Sequence, residues 1–312
     1  MKKAVFAFVC AFALNVFAQE SVTLSANEAD FEKWSARTDD VRFLPKAGPD
    51  GKPAIEIKSD KNLTISCFVP ADSYRGKWLV FSAKVKAVDV AKPKQHYEGV
   101  KMIVGTGSLS EGSVTRSGSY DWKENATAAF VPENAKRIQI IIGLLNTTGT
   151  VLYSDLKLTA YPPSADGNFL PTGKVLEKKM ANRSGAYLAK GGEQGAEAVQ
   201  LSSDEPKWNE VLFAIPADKV RGHKVEFSAR MKGEKIDYHH YWGASFKIVC
   251  RSPNAKPQIY EAKYPHKSDF DWIDMRQDVM IPSDAVSVQA VIALYKVKGK
   301  VTFSELTFKL DD

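Results

Sequence analysis

The run YHHYWG, Tyr238 to Gly243, sets five ring-bearing side chains in a row just ahead of the apolar stretch ASFKIV. Rings at that density serve packing, metal ligation or stacking against a flat ligand. Imidazoles are metal ligands, and His266 follows close behind. His239 and His240, however, are neighbours on an extended chain and point to opposite faces. One ion does not readily take both, and no metal site is expected from them. Stacking suits the residue types better. A pyranose carries an apolar C–H face that packs on an aromatic plane, while polar side chains take its hydroxyls.

These rings have counterparts elsewhere in the chain. FVPADSYRGKWLVFSAKVKA (Phe68 to Ala87) aligns without a gap on AIPADKVRGHKVEFSARMKG (Ala214 to Gly233). GKPAIEIKSD from Gly51 matches GAEAVQLSSD from Gly195, and HYEGVKMIV from His96 matches HYWGASFKI from His240. YDWKENATAAFVP from Tyr120 matches FDWIDMRQDVMIP from Phe270, and GTVLYSDLKL from Gly149 matches GKVTFSELTF from Gly299. One unit of ~140 residues is therefore used twice. The seam, AYPPSADGN (Ala160 to Asn168), has the proline, glycine and small polar residues of a linker. The expected organisation is a leader over 1–18, a first unit over 19–161, a linker over 162–168 and a second unit over 169–312.

Within each unit the pattern is one of short strands. Leu79, Phe81, Ala83 and Val85 alternate with Trp78, Ser82, Lys84 and Lys86. Val225, Phe227, Ala229 and Met231 alternate in the same way with Glu226, Ser228, Arg230 and Lys232. Such alternation marks strands with one buried face. RIQIIIGLL and SVQAVIALY are richer in apolar residues and suit central strands. Many short strands in each half predict an all-β protein of two tandem antiparallel β-sandwich (jelly-roll) domains.

Strand parity then assigns the candidate residues. Ala244, Phe246 and Ile248 share an apolar parity with Val100, Met102 and Val104 of the other copy, so Tyr241 and Tyr97 are expected in mid-strand on the outer face, beside Ser245 and Lys101. His240 and Trp242 share the core parity, but twist near Gly243 leaves Trp242 free to cap a cleft. Lys84 and Arg230 are paired across copies on a non-core parity. Gln139 and Gln289 intrude at equivalent places in apolar strands, where a carboxamide offers both donor and acceptor to sugar hydroxyls. Trp208 faces Asn62 of the first copy, so any role there belongs to the second unit. Trp122 and Trp272 recur in both copies and are read as packing plugs.

The first residues, MKKAVFAFVCAFALNVFAQE, have the charged start, short apolar stretch and small-residue cleavage site of a secretory signal, cut near Ala18. A secreted or periplasmic location is expected, with no membrane span. Cys67 and Cys250 sit in apolar runs of different halves and are expected as buried free thiols. Removing Lys2 and Lys3 with the leader takes the formal net charge from +6 to +4, a mildly basic balance that favours an acidic partner such as a uronic-acid polymer over none. No nucleic acid is expected. The chain lacks a nucleophile elbow, a phosphate-cradling glycine loop and a zinc-type histidine pair.

A proline-bounded strand, RGKWLVFSAKVKA, a mid-domain tryptophan ahead of FVP and a closing GTVLYSDLKL together resemble bacterial carbohydrate-binding modules of families four, nine and twenty-two. ADFEKW (Ala29 to Trp34) resembles their opening strand. The resemblance covers both halves and implies the jelly-roll scaffold more strongly than any ligand. It also implies a possible structural calcium held by Glu32 and Asp155 in the first copy. The second copy departs from it, with Glu305 in place of Asp155 and no match to Glu32.

The expected function is that of a secreted, non-catalytic protein binding polysaccharide or oligosaccharide. The expected set is Tyr97, Tyr241, Trp242, His240, Gln139, Gln289, Lys84, Arg230 and Trp208, without catalytic residues or an obligatory cofactor. An envelope adhesion role with a protein partner, or an unrecognised polysaccharide hydrolase or lyase, are the alternatives.

Overall fold

The computed structural model describes residues 21–35, 38–95, 97–107, 110–115, 117–181, 185–238, 242–263 and 266–311. The first unit contributes β1 (Ser21–Thr23), β2 (Val41–Leu44), β3 (Ala54–Ser59), β4 (Leu63–Pro70) and β5 (Trp78–Val90). It continues with β6 (Gly99–Gly105), β7 (Ser110–Thr115), β8 (Gly118–Phe130), β9 (Arg137–Leu145) and β10 (Gly149–Tyr161). One antiparallel sheet runs β2-β3-β10-β5-β8, with β1 added to β10; a second runs β4-β9-β6-β7. Apolar alternate residues of both sheets, among them Ile55, Phe81, Val85, Met102, Ile140 and Leu158, fill the space between them. This is the expected sandwich.

The second unit repeats the plan with β11 (Gly185–Leu188), β12 (Ala198–Ile215), β13 (Lys224–Glu234), β14 (Ala244–Arg251), β15 (Gln258–Glu261), β16 (Phe270–Met280) and β17 (Ser287–Leu310). Here the two layers are joined into one antiparallel sheet, because β12 and β17 each pass through the corner that breaks β3 from β4 and β9 from β10 in the first unit. The corner geometry itself is shared. Gly149 has φ 128° and Gly299 φ 122°, and a Cβ on either would lie under 3 Å from backbone atoms of the neighbouring turn. Asn146 (φ 49°) and Lys296 (φ 48°) likewise occupy the left-handed region at equivalent places. The two layers face each other through Phe227 of β13 and Phe246 of β14, whose rings stack at 3.8 Å. The outer faces of these two strands therefore lie on opposite sides of the sandwich.

Among the described residues there are three short α-helices: α1 (Glu28–Phe31), α2 (Gly173–Met180) and α3 (Ala217–Val220). The buried side of α2 includes Val175, which joins Trp78, Val80, Ala126, Ala128 and Phe130 in a small apolar cluster on the outer face of β5 and β8. Lys178 of α2 pairs with Glu124, and Lys219 of α3 with Glu133 at 3.5 Å. The two units thus pack against one another. The segment with linker composition is itself tied down. Asp166 accepts from Lys309 Nζ at 2.8 Å, and the buried Asn168 bonds to the backbone of Leu306 and Phe308 on β17.

Cys67 and Cys250 are both buried and free. Burial pushes the Cys67 thiol up to about 12 and the Cys250 thiol up to about 11. Both remain protonated and unreactive at neutral pH. Among the described residues no helix is long and apolar enough to cross a membrane.

Candidate functional site

Residues paired across antiparallel strands share a face. On the layer formed by the second half of β12, the first half of β17, and β14 with β15, three such rows stand on the outer side. Trp208 pairs with Tyr295. Glu210 pairs with Ala293, which pairs in turn with Ser245. Leu212, Val291, Lys247 and Glu261 make the next row. The core-facing neighbours Val211, Phe213, Phe246 and Ile248 are fully buried; on the outer side Tyr295, Ala293, Val291 and Ser245 are buried as well, Glu210, Leu212 and Lys247 are half-buried, and Trp208 and Glu261 are exposed.

At one end of this outer face the rings converge. Trp208, 56% exposed, meets Tyr295 edge to face at 4.6 Å and Trp242 at 5.4 Å. Lys296 Nζ lies 4.4 Å from the Trp242 ring centroid and 5.4 Å from that of Trp208; Lys247 Nζ lies 4.5 Å from that of Tyr295. The Tyr295 hydroxyl donates to Glu210 at 2.7 Å, and the Ser245 hydroxyl to Glu261 at 2.6 Å. Burial first, and then the adjacent Glu210 carboxylate, raise the Tyr295 phenol above its ordinary range, so it stays a donor at any physiological pH. The arrangement is an apolar ledge with hydrogen-bonding groups along one side.

The first unit answers at the same four positions with different chemistry. Asn62, Glu98, Leu145 and Asn146 stand where the second unit has Trp208, Trp242, Tyr295 and Lys296. Glu98 accepts from Asn146 Nδ2 at 3.0 Å and from the Gln95 amide at 2.9 Å, and Asn62 Oδ1 accepts the Asn146 amide at 3.4 Å. The bond from Asn146 holds the Glu98 carboxyl below its usual range. Lys101 lies buried nearby, and desolvation lowers its ammonium against the opposing pull of Glu98. Hydrogen bonds in one copy replace ring contacts in the other.

Trp208 and Trp242 fall together, as one cluster. Trp242 is half-buried and also packs against the core of its unit. Gln289 and Gln139 lie half-buried on the corresponding outer faces, each beside neighbours on both flanking strands. Gln289 is six residues along β17 from Tyr295, about 20 Å at 3.3 Å per residue. His240 and Tyr241 lie outside the described residues.

Three expectations need correction. Tyr97 is 53% exposed but sits in the turn before β6, not in mid-strand; the strand starts only at Gly99, whose φ of 107° and the capture of Glu98 end the turn there. Lys101 and Ser245 have the outward parity but are buried, so this face is recessed. Lys84 and Arg230 lie on β5 and β13, in the layer opposite the rings, and cannot join them. Arg230 is occupied there by Glu193 at 3.0 Å, Asp274 at 3.2 Å and the Trp272 carbonyl.

Asp155 is paired with Lys52 Nζ at 3.1 Å, and no three metal-ligating side chains are gathered among the described residues.

The ring partners that sequence reading missed are Tyr295, Glu210, Lys247 and Lys296. Tyr295 shares the parity of Gln289 in SVQAVIALY, a signal that was present but obscured by the apolar character of the strand. Lys296 carried no signal, because its position depends on a left-handed turn residue.

No family model matches the chain, and none of the curated proteins matches it. Among solved structures it is similar to the N-terminal CBM22-1–CBM22-2 tandem domain from Paenibacillus barcinonensis Xyn10C, at 11% identity, a TM-score of 0.35 and coverage of 95% of this chain and 98% of that one. A second similar structure is the C-terminal family 22 carbohydrate binding module of Clostridium thermocellum Xyn10B, at 14% identity, a TM-score of 0.36 and coverage of 47% of this chain and 96% of that one. A third, described as CBM4 structure and function, has 18% identity, a TM-score of 0.29 and coverage of 45% of this chain and 86% of that one. Likeness at this level leaves the ligand to be argued from the side chains.

Proposed function

We propose that this is an exported, non-catalytic protein whose second unit binds a saccharide on the ledge made by Trp208, Trp242 and Tyr295. The observation that carries the reading is the exposed Trp208 ring, held edge-on by two other rings at the end of a recessed strand face. A large ring kept in water by packed neighbours, with no core to fill, is suited to a partner with a flat apolar side. A pyranose has that side. Its hydroxyls would meet Glu210 and Glu261, and the same strand parity leads on to the half-buried Gln289. The first unit, with Asn62 and Glu98 in the ring positions, offers no comparable ledge and binds more weakly or binds something else.

Affinity electrophoresis of the full chain through soluble glucans, xylans and uronic polymers tests this. Retardation by at least one polymer is expected, and Trp208→Ala abolishes it while the melting temperature stays within experimental scatter. Lack of retardation by every polymer removes the carbohydrate reading.

A further inference from the structure

Resting on the saccharide reading above, we infer that the ring ledge of the second unit selects an acidic glycan, a pyranose chain carrying an exocyclic carboxylate or sulfate. Two cations stand over the rings, Lys296 over Trp242 and Lys247 over Tyr295. Neither Lys296 nor Lys247 has a carboxylate oxygen within 4.0 Å among the described residues. The cations of the opposite layer behave differently: Arg230, Lys232 and Arg276 all have carboxylate partners. The two acids on the ledge side are already engaged, Glu210 by the Tyr295 hydroxyl and Glu261 by the Ser245 hydroxyl. Glu261 even stands opposite Lys247 in strand register without forming an ion pair.

Comparison of the two copies strengthens the argument. The backbone at residue 296 has the same left-handed φ as at Asn146, so the fold fixes where the side chain starts and only its chemistry differs. Asparagine tolerates that conformation better than lysine. At the equivalents of Lys296 and Lys247 the first unit has the neutral Asn146 and Ile103, and at those of the three rings it has Asn62, Glu98 and Leu145. Cations and rings thus arrive together. A sugar stacked on Trp208 would project its exocyclic group from the rim of its ring, and Lys296 Nζ lies 5.4 Å from the Trp208 centroid while Lys247 Nζ lies 4.5 Å from that of the adjoining Tyr295. An ammonium resting on an indole gains only a weak attraction when exposed to water. It is readily redirected to an anion, which it attracts more strongly in the recessed site.

The test is titration calorimetry on the full chain with galacturonate, glucuronate and mannuronate oligosaccharides, each against its carboxyl-reduced neutral counterpart, plus a sulfated galactan oligosaccharide. In at least one pair the acidic member is expected to bind about tenfold tighter in dilute buffer, with the gap closing as salt screens the charges. Lys296→Asn, which installs the first copy's residue on an unchanged backbone, and Lys247→Gln each narrow that ratio; Lys296→Arg keeps it. The acidic arm that binds tighter identifies carboxylate or sulfate as the group recognised. Equal or tighter binding of the neutral member in every pair, with the sulfated arm no better, overturns the inference while leaving the saccharide reading standing. So does a gap that survives both neutral substitutions. No binding to any probe overturns both.

Discussion

The rings of Trp208 and Tyr295 meet edge to face at 4.6 Å across strands that are direct partners at that register. The contact places an open indole against a phenol whose hydroxyl is already committed to Glu210. Trp208 can therefore present a flat side outward while its orientation is held from behind. It is this fixed posture, more than the presence of a tryptophan, that distinguishes the second unit from the first.

Trp242 makes two kinds of contact, and its removal tests what each does under the proposed reading. It touches Trp208 and also packs against the core of the unit. Trp242→Ala is expected to weaken saccharide retention at least tenfold and to cost about 1–3 kcal/mol of stability, below the range for a fully buried tryptophan because the ring is only half-buried. Trp208→Ala costs binding alone. Denaturant melts beside the electrophoresis separate the two.

The first unit depends on a buried phenol that the second lacks. The Tyr153 hydroxyl accepts the Gly143 amide at 3.1 Å and donates to the Lys101 carbonyl at 2.8 Å. Gly143 itself has φ 140°, and a Cβ there would sit 2.3 Å from the Leu63 carbonyl. The second unit has Ala293 and Phe303 at these places. Tyr153→Phe is expected to destabilise the first unit by about 1–3 kcal/mol, since it strands a buried amide. Gly143→Ala should be at least as damaging. Calorimetry reads both.

Acid should loosen the second unit at its entry. Hydrogen bonds, from Lys309 first and then from Ser164 and the Asn168 amide, hold the Asp166 carboxyl well below its ordinary value of 3.8. A lowered folded-state value means the contribution is complete above the ordinary aspartate range. It is lost as pH falls through that range toward the folded value. Asp166→Asn is expected to be less stable than the parent at neutral pH and to converge with it in acid. Melting temperatures measured between pH 7 and 2 check the sign, and parallel curves would contradict the assignment.

Contact between the units rests on a small patch. Val175 is buried against Trp78, Val80 and Phe130 of the first unit. Val175→Asp puts an unpaired carboxylate into that apolar cluster. The expected result is faster limited proteolysis across residues 162–172, with the melting of the two units separating in the calorimeter.

Much of this molecule could be read from residues alone. Alternation in KWLVFSAKVKA and HKVEFSARMK reports burial directly, because successive strand side chains face opposite sides. Matching blocks in the same order report a duplicated plan, and even the residue differences at Asn62 and Trp208 pointed to unequal copies. Periodicity says which side of its own strand a residue takes. It does not say which layer that strand joins, and so it placed Arg230 with rings that lie across the sandwich. It also ran a strand through Tyr97 that the turn at Glu98 and Gly99 interrupts. The ledge is assembled from β12, the start of β14 and the middle of β17, brought together only when two layers stack and a corner residue turns left-handed. Local pattern determined the sandwiches; the packing of distant strands decided which side chains meet, because their contacts depend on register and corner geometry that no single stretch encodes.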